Sequence, residues 1–209
     1  MKVLLLNGSS HSQGTTMAAL QEMVEVFSCE GVECEIIQCG AKAVADCLQC
    51  GACARLGRCV IEDDGVNMFV EKARSADAFV FASPVYYAHP SGRILSFLDR
   101  AFFSDKGYEA FRFKPAASVV VARRGGCSAT FDALNKYFGI AQMPVVSATY
   151  WNSVHGSVAS DAPKDEEGMQ TVRNLARNMV WMMRCLEAGR KAGIALPETE
   201  RGVVTNFVR

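Results

Sequence analysis

The sequence lacks several features that would assign a protein to a class at once. Its 209 residues contain no stretch near the roughly 20 apolar residues that a membrane-spanning helix needs. Lys plus Arg and Asp plus Glu number 22 each, so no net charge attracts nucleic acid or an anionic membrane. The apolar run at residues 3–6 is too short for the core of a signal peptide. These absences predict a soluble, cytoplasmic protein.

Cysteine is present in excess, with nine copies, an odd number. In a reducing cytosol this count favours metal or redox chemistry over a disulfide framework. Four of the cysteines stand close together between residues 47 and 59. The other five are scattered and are interpreted as small core or surface residues: Cys29, Cys34, Cys39, Cys127 and Cys185.

Strand-like and helix-like segments alternate along the chain. Apolar runs predict strands at residues 3–6, 33–38, 78–82, 118–121 and 144–146. Apolar residues at three- and four-residue steps predict helices between them. Asp63 or Asp64 is expected to cap the second of these helices, which carries Val66, Phe69 and Val70. The alternation predicts a parallel sheet covered by helices on both faces. We expect one domain over residues 1–189, with an irregular insertion at 40–62, a second irregular stretch at about 150–166, and a tail at 190–209.

A polar loop follows the first strand and leads into the first helix. Ligands of open α/β sheets bind beyond the carboxyl ends of the strands, and a helix amino terminus offers free N–H groups to a phosphate. The loop has neither the glycine pattern of a dinucleotide fold nor the Gly-Lys-Ser/Thr of a triphosphate loop. It is either a polar turn that caps a helix or a phosphate site, formed by Ser9, Ser10, His11, Ser12, Gln13, Gly14, Thr15 and Thr16.

Residues 8–16 resemble the phosphate loop of the NADPH-dependent FMN reductase family, which commonly reads Gly-Ser-Pro-Arg-x-x-Gly-Asn-Thr. Ser10 stands where that family often has Pro, and His11 where it often has Arg. Because histidine is only partly charged at pH 7, this departure implies that FMN phosphate binds more weakly here than in the family, or in a way that depends more on pH.

A second loop follows the third strand and carries two adjacent tyrosines. Residues 83–92 and 97–100 resemble the same family's signature Ser-Pro-x-Tyr, Pro-Ser-Gly and Phe-x-Asp-Arg. Two tyrosines on a proline-stiffened loop can cover a flat aromatic ring system. The alternative is a tyrosine-rich surface loop. The resemblance implies that the flavin ring contacts Pro84, Val85, Tyr86 and Tyr87.

A third segment follows the fourth strand at the same edge of the sheet, and it contains Arg123, Gly125 and Gly126. Glycine there allows close approach of the backbone to a ring. An arginine can stabilise negative charge on a reduced flavin, which is the kind of tuning a protein gives its cofactor. The alternative is that the arginines are simple surface charges.

The four clustered cysteines follow the pattern Cys-x2-Cys-x2-Cys-x5-Cys, at Cys47, Cys50, Cys53 and Cys59. Three thiolates at two-residue gaps can wrap one face of a cluster, and the fourth can close the site. Zinc sites usually pair two Cys-x2-Cys units across a dozen or more residues. The motif resembles that of iron–sulfur flavoproteins, a branch of the same fold family, which implies one [4Fe–4S] cluster beside FMN at a subunit interface. A metal-free loop and a zinc site are the alternatives.

The resemblance extends from residue 1 to about residue 156. It implies a flavodoxin-like sheet of five parallel strands in the order 2-1-3-4-5, in a homodimer or homotetramer. It also implies hydride transfer from NAD(P)H to FMN and electron delivery to an unidentified acceptor, with no catalytic side chain because the cofactor supplies the chemistry. The alternative is an electron carrier of the iron–sulfur flavoprotein kind, reduced by a partner such as ferredoxin. A third hypothesis is a redox sensor that uses the cysteine loop without flavin turnover.

Overall fold

The computed structural model describes residues 1–205 and 207. The strands are β1 (Lys2–Asn7), β2 (Glu33–Gln38), β3 (Ala78–Tyr86), β4 (His89–Pro90), β5 (Ala116–Ala122) and β6 (Ser153–His155). The α-helices are α1 (Thr15–Cys29), α2 (Cys53–Leu56), α3 (Val66–Ser75), α4 (Gly92–Ser104), α5 (Cys127–Ile140) and α6 (Glu166–Lys191). Short 3-10 helices lie at Lys106–Tyr108 and Ala159–Lys164.

Five strands form one parallel sheet in the order β2-β1-β3-β5-β6. This is the predicted flavodoxin-like order, and it is confirmed. The sixth strand, β4, is an addition that pairs antiparallel with the end of β3. The parallel sheet places the carboxyl ends of its strands along one edge, where the loops predicted to bind ligands begin.

The sheet separates two apolar cores, and this explains why its central strands have continuous apolar sequences. Leu4 and Leu6 pack into the core beneath α3, α4 and α5, whereas Val3 and Leu5 pack into the core beneath α1 and α6. Every residue of β5 is buried. Both faces of these strands are covered, so polar alternation is absent from their sequences.

One predicted strand is wrong in part. Residues 144–146 form a single bridge, between Val145 and Ala116, and the strand at that edge of the sheet is β6. Pro144 accepts a hydrogen bond from the Ala116 N–H but has no N–H of its own to continue a ladder. The edge strand therefore lies within the stretch that was predicted to be irregular.

The predicted cap of α3 is confirmed only in part. Gly65, at a φ of +82°, occupies the N-cap position itself and has no side chain to cap the helix. Asp64, one residue earlier, accepts the Val66 N–H of the first turn at 3.4 Å through its Oδ1, and the same carboxylate binds Arg100, as described below. The cap of α4 is a side chain, since the Ser91 hydroxyl accepts the Ile94 N–H at 3.4 Å.

The insertion at residues 40–62 is irregular as predicted, apart from the one-turn helix α2. The last helix, α6, continues to Lys191, two residues beyond the predicted domain boundary, and residues 194–205 have no regular secondary structure. None of the described helices is both long and apolar enough to cross a bilayer.

Candidate functional site

The loops at the carboxyl edge of the sheet contact one another. The Gly8 N–H donates to the Ala82 carbonyl at 2.7 Å, and the Ser91 hydroxyl donates to the Gly8 carbonyl at 2.6 Å. These bonds join the loop after β1 to the end of β3 and the start of α4. A Cβ on Gly8 would lie 2.7 Å from the Ile94 side chain and 2.9 Å from the Ala82 oxygen, so this approach requires glycine.

Two polar residues that the sequence analysis missed build the polar loop. The Asn7 carboxamide oxygen accepts the Ser9 N–H at 3.0 Å, and the Gln38 side chain donates to the Ser9 carbonyl at 2.6 Å. Asn7 also donates to Gln38 at 2.7 Å. The sequence did contain a signal for this pair, because both residues are polar and each ends a predicted strand. The two strands are neighbours, and Asn7 and Gln38 are in register. The Ser9 hydroxyl accepts the His11 N–H at 3.1 Å, so it shapes the loop and retains one proton to donate.

The first turn of α1 fits a phosphate. Thr15 and Thr16 are 6% and 3% exposed, and neither hydroxyl has a hydrogen-bond partner among the described residues. No side chain caps the helix at Gly14, so its first N–H groups are also available. Around this turn, His11, Ser12 and Gln13 are exposed and Ser10 is half-buried. Hydroxyls and free N–H groups at a positive helix end are the donors that a phosphate dianion needs.

The tyrosine loop is a strained β-hairpin. Strands β3 and β4 pair through Val85–Pro90 and Tyr86–His89, which leaves Tyr87 and Ala88 as a two-residue turn. Both turn residues have positive φ, of 50° and 61°. Turns with two positive φ angles normally use Gly or Asn, and strain of about 1–3 kcal/mol per residue is typical of functional sites. The Tyr87 side chain is fully exposed at the tip, and Tyr86 is also exposed.

The third predicted segment lies against this hairpin. Gly126 is the N-cap residue of α5, at a φ of +93°, and a Cβ there would lie 2.7 Å from the Ala88 Cα. Gly125 is exposed, and Arg123 is exposed with no carboxylate partner in the described part of the chain. Pro84 and Val85 are half-buried within β3. The hairpin and the glycine segment therefore lie against each other at the carboxyl edge of the sheet.

The four clustered cysteines line a single small pocket beside α4, together with Arg100 and Phe103. The loop turns tightly at Gly51 and Gly57, both at positive φ, and α2 begins at Cys53. Within residues 1–205 and 207, no three Cys, His, Asp or Glu side chains converge closely enough to hold one metal ion.

A buried arginine that the sequence analysis assigned no role anchors this loop. Arg100 is 1% exposed, and all five of its N–H groups are used. Its Nε donates to the Cys59 Sγ at 3.3 Å, and its terminal nitrogens donate to the carbonyls of Ala45 and Ile61 and to both Asp64 oxygens. Burial opposes the charge, but the bonds to Asp64 and Cys59 raise the pKa of Arg100 above its ordinary value.

Cys59 is held from a second side by an asparagine. The Asn67 carboxamide oxygen accepts the Cys59 N–H at 2.9 Å, and its nitrogen donates to the Cys59 carbonyl at 2.9 Å. On the other side of the pocket, the Cys53 thiol donates to the Phe103 carbonyl at 3.8 Å. The last cysteine of the motif is therefore rigidly placed by α3 and α4.

A cavity of about 740 Å³ lies away from these loops. Its lining includes Met1, Asp77 and Pro115, which precede β1, β3 and β5, and the tail residues Leu196 and Pro197. It therefore opens at the amino ends of the strands, opposite the edge where ligands of such sheets bind.

Comparison with known families decides the assignment of the chain. A profile of the NADPH-dependent FMN reductase family matches residues 1–157, three quarters of the sequence. The chain belongs to this family. The FMN reductase resemblance stated above is thereby confirmed, and FMN is the cofactor that membership supports.

Several relatives of this FMN reductase family chain carry the name iron–sulfur flavoprotein. One from Methanocaldococcus jannaschii is 29% identical, over 90% of this chain and 100% of its own. Another, from Methanosarcina thermophila, is 28% identical, over 91% of this chain and 99% of its own. These proteins match nearly from end to end, so the similarity includes the cysteine loop region and α6.

Solved structures support the fold. RosB, solved with bound 8-demethyl-8-formylriboflavin-5'-phosphate, has a TM-score of 0.69 at 17% identity and covers 100% of this chain and 94% of its own. An archaeal flavodoxin has a TM-score of 0.59 at 11% identity, over 88% of this chain and 99% of its own. At these identities the likeness establishes the flavodoxin-like fold alone.

Proposed function

We propose that this chain is a two-centre electron-transfer flavoprotein, which holds FMN at the carboxyl edge of its sheet and one [4Fe–4S] cluster in the cysteine loop. The observation that carries the proposal is the placement of Cys47, Cys50, Cys53 and Cys59 around one pocket. A [4Fe–4S] cluster takes four thiolate ligands, which is the number that this loop places around the pocket. The relatives that match over nearly their whole length are named iron–sulfur flavoproteins, and this supports the same assignment.

The FMN would be held by groups already in position. The first turn of α1 would bind the phosphate with its N–H groups and the hydroxyls of Thr15 and Thr16. The surface formed by Tyr86, Tyr87 and Gly126 would cover the ring. When bound, FMN can take up two electrons together and release them singly, which suits a carrier that joins donors and acceptors of different kinds.

The partner that this arrangement favours is a small electron-carrier protein of the ferredoxin class, because a one-electron cluster lies at the surface. Cys50 is exposed, and Cys47, Cys53 and Cys59 are half-buried, so a cluster there would lie within reach of a docked protein. A second candidate donor is NAD(P)H. The observation that favours it is the exposure of Tyr86 and Tyr87, which leaves the hairpin accessible to a small planar cosubstrate.

A cysteine variant tests the proposal. In anaerobically purified Cys50→Ser, iron should be lost while FMN stays bound, because the phosphate loop and the hairpin belong to other connections of the sheet. The matched control is Cys29→Ser, an exposed cysteine at the end of α1, which should retain both. Equal iron in the two variants, or none in the wild type, contradicts the cluster.

The same pair of proteins separates the two donors. Reduction of the flavin by reduced ferredoxin should be slowed strongly in Cys50→Ser, since electrons from a protein partner would enter at the cluster. Bleaching by NADH or NADPH should survive in that variant if nicotinamide is a donor. A wild-type protein that NAD(P)H reduces in one turnover, and that ferredoxin does not reduce, would overturn the carrier proposal in favour of a reductase.

A further inference from the structure

Three side chains stand in a row at the carboxyl edge of the sheet, directly beside the predicted flavin surface, since Cys127 follows Gly126. The Cys127 Sγ lies 3.8 Å from the His155 Nε2, and the His155 Nδ1 lies 3.1 Å from the Asp165 Oδ2. They come from three elements, since Cys127 begins α5, His155 ends β6 and Asp165 precedes α6. The three groups lie in the order thiol, imidazole, carboxylate. This is the arrangement of a nucleophile, a base and the group that orients the base.

The carboxylate fixes the imidazole in one tautomer. Asp165 accepts the backbone N–H of His155 at 2.6 Å and caps α6 by accepting the Gly168 N–H at 3.0 Å. Burial opposes its charge, but these N–H groups and the imidazole hold the pKa of Asp165 below its ordinary value. An ionised Asp165 accepts a hydrogen bond from the His155 Nδ1–H, so Nδ1 keeps the proton and the lone pair on Nε2 faces Cys127.

The Cys127 thiol needs this base in order to act as a nucleophile. Burial, and secondarily the Asp165 charge, raise the pKa of Cys127 above its ordinary value, so the sulfur carries its proton at neutral pH. A protonated thiol is a weak nucleophile unless a neighbouring base removes the proton as the new bond forms. His155 is placed to do this, and its side chain is 44% exposed, so a small molecule can reach the pair.

The start of α5 supplies the third requirement, a site for negative charge. Cys127 is the first residue of the helix, and no side chain caps its first turn. Backbone N–H groups in the first turn of a helix have no partner within the helix and can stabilise an oxyanion that forms beside the sulfur. Nucleophile, base and oxyanion donors therefore meet at one point.

We propose that Cys127, His155 and Asp165 give this protein a second, thiol-dependent activity, the hydrolysis of small activated acyl donors such as esters or thioesters. The Cys127 sulfur bonds to the acyl carbon while its proton passes to the His155 Nε2. The bond to the leaving alcohol or thiol breaks, and that group takes the proton from His155. Water then attacks the S-acyl carbon, which releases a carboxylic acid and restores the thiol. No oxidant or reductant takes part.

The test uses p-nitrophenyl acetate with the protein as purified, and acetylated residues are located by mass spectrometry. We expect acetyl on Cys127 and a rate of nitrophenol release that falls about a hundredfold in Cys127→Ala and in His155→Gln. The matched control is Cys185→Ala, which removes an exposed cysteine on α6 and should hydrolyse the ester at the wild-type rate. Flavin absorbance and circular dichroism verify that each variant is folded.

Asp165 is a positioning residue, so its variant needs a different readout. Asp165→Asn should lower kcat for the ester and leave KM unchanged, because it disturbs the imidazole rather than the contact with the acyl donor. Acetyl spread evenly over the exposed cysteines, or wild-type rates in folded Cys127→Ala, would overturn the proposed activity. Since that activity needs neither FMN nor iron, its failure is distinguishable from failure of the electron-transfer proposal.

Discussion

Arg100 donates its Nε–H to the Sγ of Cys59 at 3.3 Å, and this bond ties the last cysteine of the loop to helix α4. The same guanidinium forms an ion pair with Asp64, whose side chain is 13% exposed, while that of Arg100 is completely buried. A buried charge in this position is costly unless every hydrogen bond is made. The cysteine loop therefore depends on one side chain that belongs to another element.

The stability of the protein should depend on this ion pair. Arg100→Gln leaves the Asp64 carboxylate without its partner and should lower the free energy of unfolding by about 3–5 kcal/mol. Denaturant titration measures the change. Asp64→Asn with Arg100→Gln should cost less than the sum of the two single variants, because neither charge is then left alone. Additive costs would mean that the pair makes no mutual contribution.

The same bond should tune a cluster held by the loop. Hydrogen bonds to ligand sulfurs stabilise the reduced, more negative state and so raise the reduction potential. Arg100→Lys keeps the positive charge but cannot match the five-donor fork of arginine, so its cluster should have a lower potential than the wild type. A redox titration followed by EPR measures this, with Arg184→Lys on α6, which contacts Glu30 and not the cysteine loop, as the control. An unchanged potential in Arg100→Lys would show that the bond only positions the loop.

Phosphate binding by the first turn of α1 predicts a large loss of FMN affinity on removal of its hydroxyls. Thr15→Val with Thr16→Val preserves shape and removes two donors, each worth about 1.5–3 kcal/mol when bonded to a charged group. The FMN Kd should rise by about a hundredfold or more, as measured by quenching of flavin fluorescence. Thr130→Val is the control, because its buried hydroxyl has no partner in the described structure. Unchanged affinity in the double variant would place the phosphate elsewhere.

The strained hairpin predicts a conflict between stability and cofactor binding. Tyr87→Gly and Ala88→Gly each relieve a positive φ that glycine adopts freely, and each should raise the free energy of unfolding by about 1 kcal/mol. Only Tyr87→Gly removes an aromatic ring, so only this variant should weaken FMN binding. Thermal unfolding and FMN titration of both proteins measure the two effects. If Tyr87→Gly binds FMN as tightly as Ala88→Gly, Tyr87 does not cover the ring.

Much of this architecture was predictable from sequence because it follows from burial and alternation. The apolar runs located β1, β3 and β5, and the resemblance to the FMN reductase family implied the order of the strands in the sheet. Three features were not predictable. The ion pair between Asp64 and Arg100 is one, because the two residues are 36 positions apart and meet only in the folded chain, while Asp64 alone looks like a helix cap. Strand β6 has three residues, too few for periodicity. The turn at Tyr87 and Ala88 lacks the glycine that normally marks one.

The candidate sites also contain features that were predictable from the sequence and features that were not. The loops themselves were predictable, because polar residues between an apolar strand and a helix mark the carboxyl edge of a parallel sheet. Their support was missed, since Asn7 and Gln38 act by crossing from one strand to its neighbour. Cys127 was interpreted as a scattered small residue, because His155 and Asp165 approach it only in the folded chain.

The central claim is that one chain holds both a flavin and an iron–sulfur cluster, and the cofactor content of anaerobically purified protein tests it most directly. FMN, iron and acid-labile sulfide are assayed on the same sample, together with the visible spectrum. We expect about one FMN, four iron atoms and four sulfides per chain, with a broad absorbance shoulder beneath the flavin bands. Protein that contains FMN with zinc or no metal in place of iron would contradict the account.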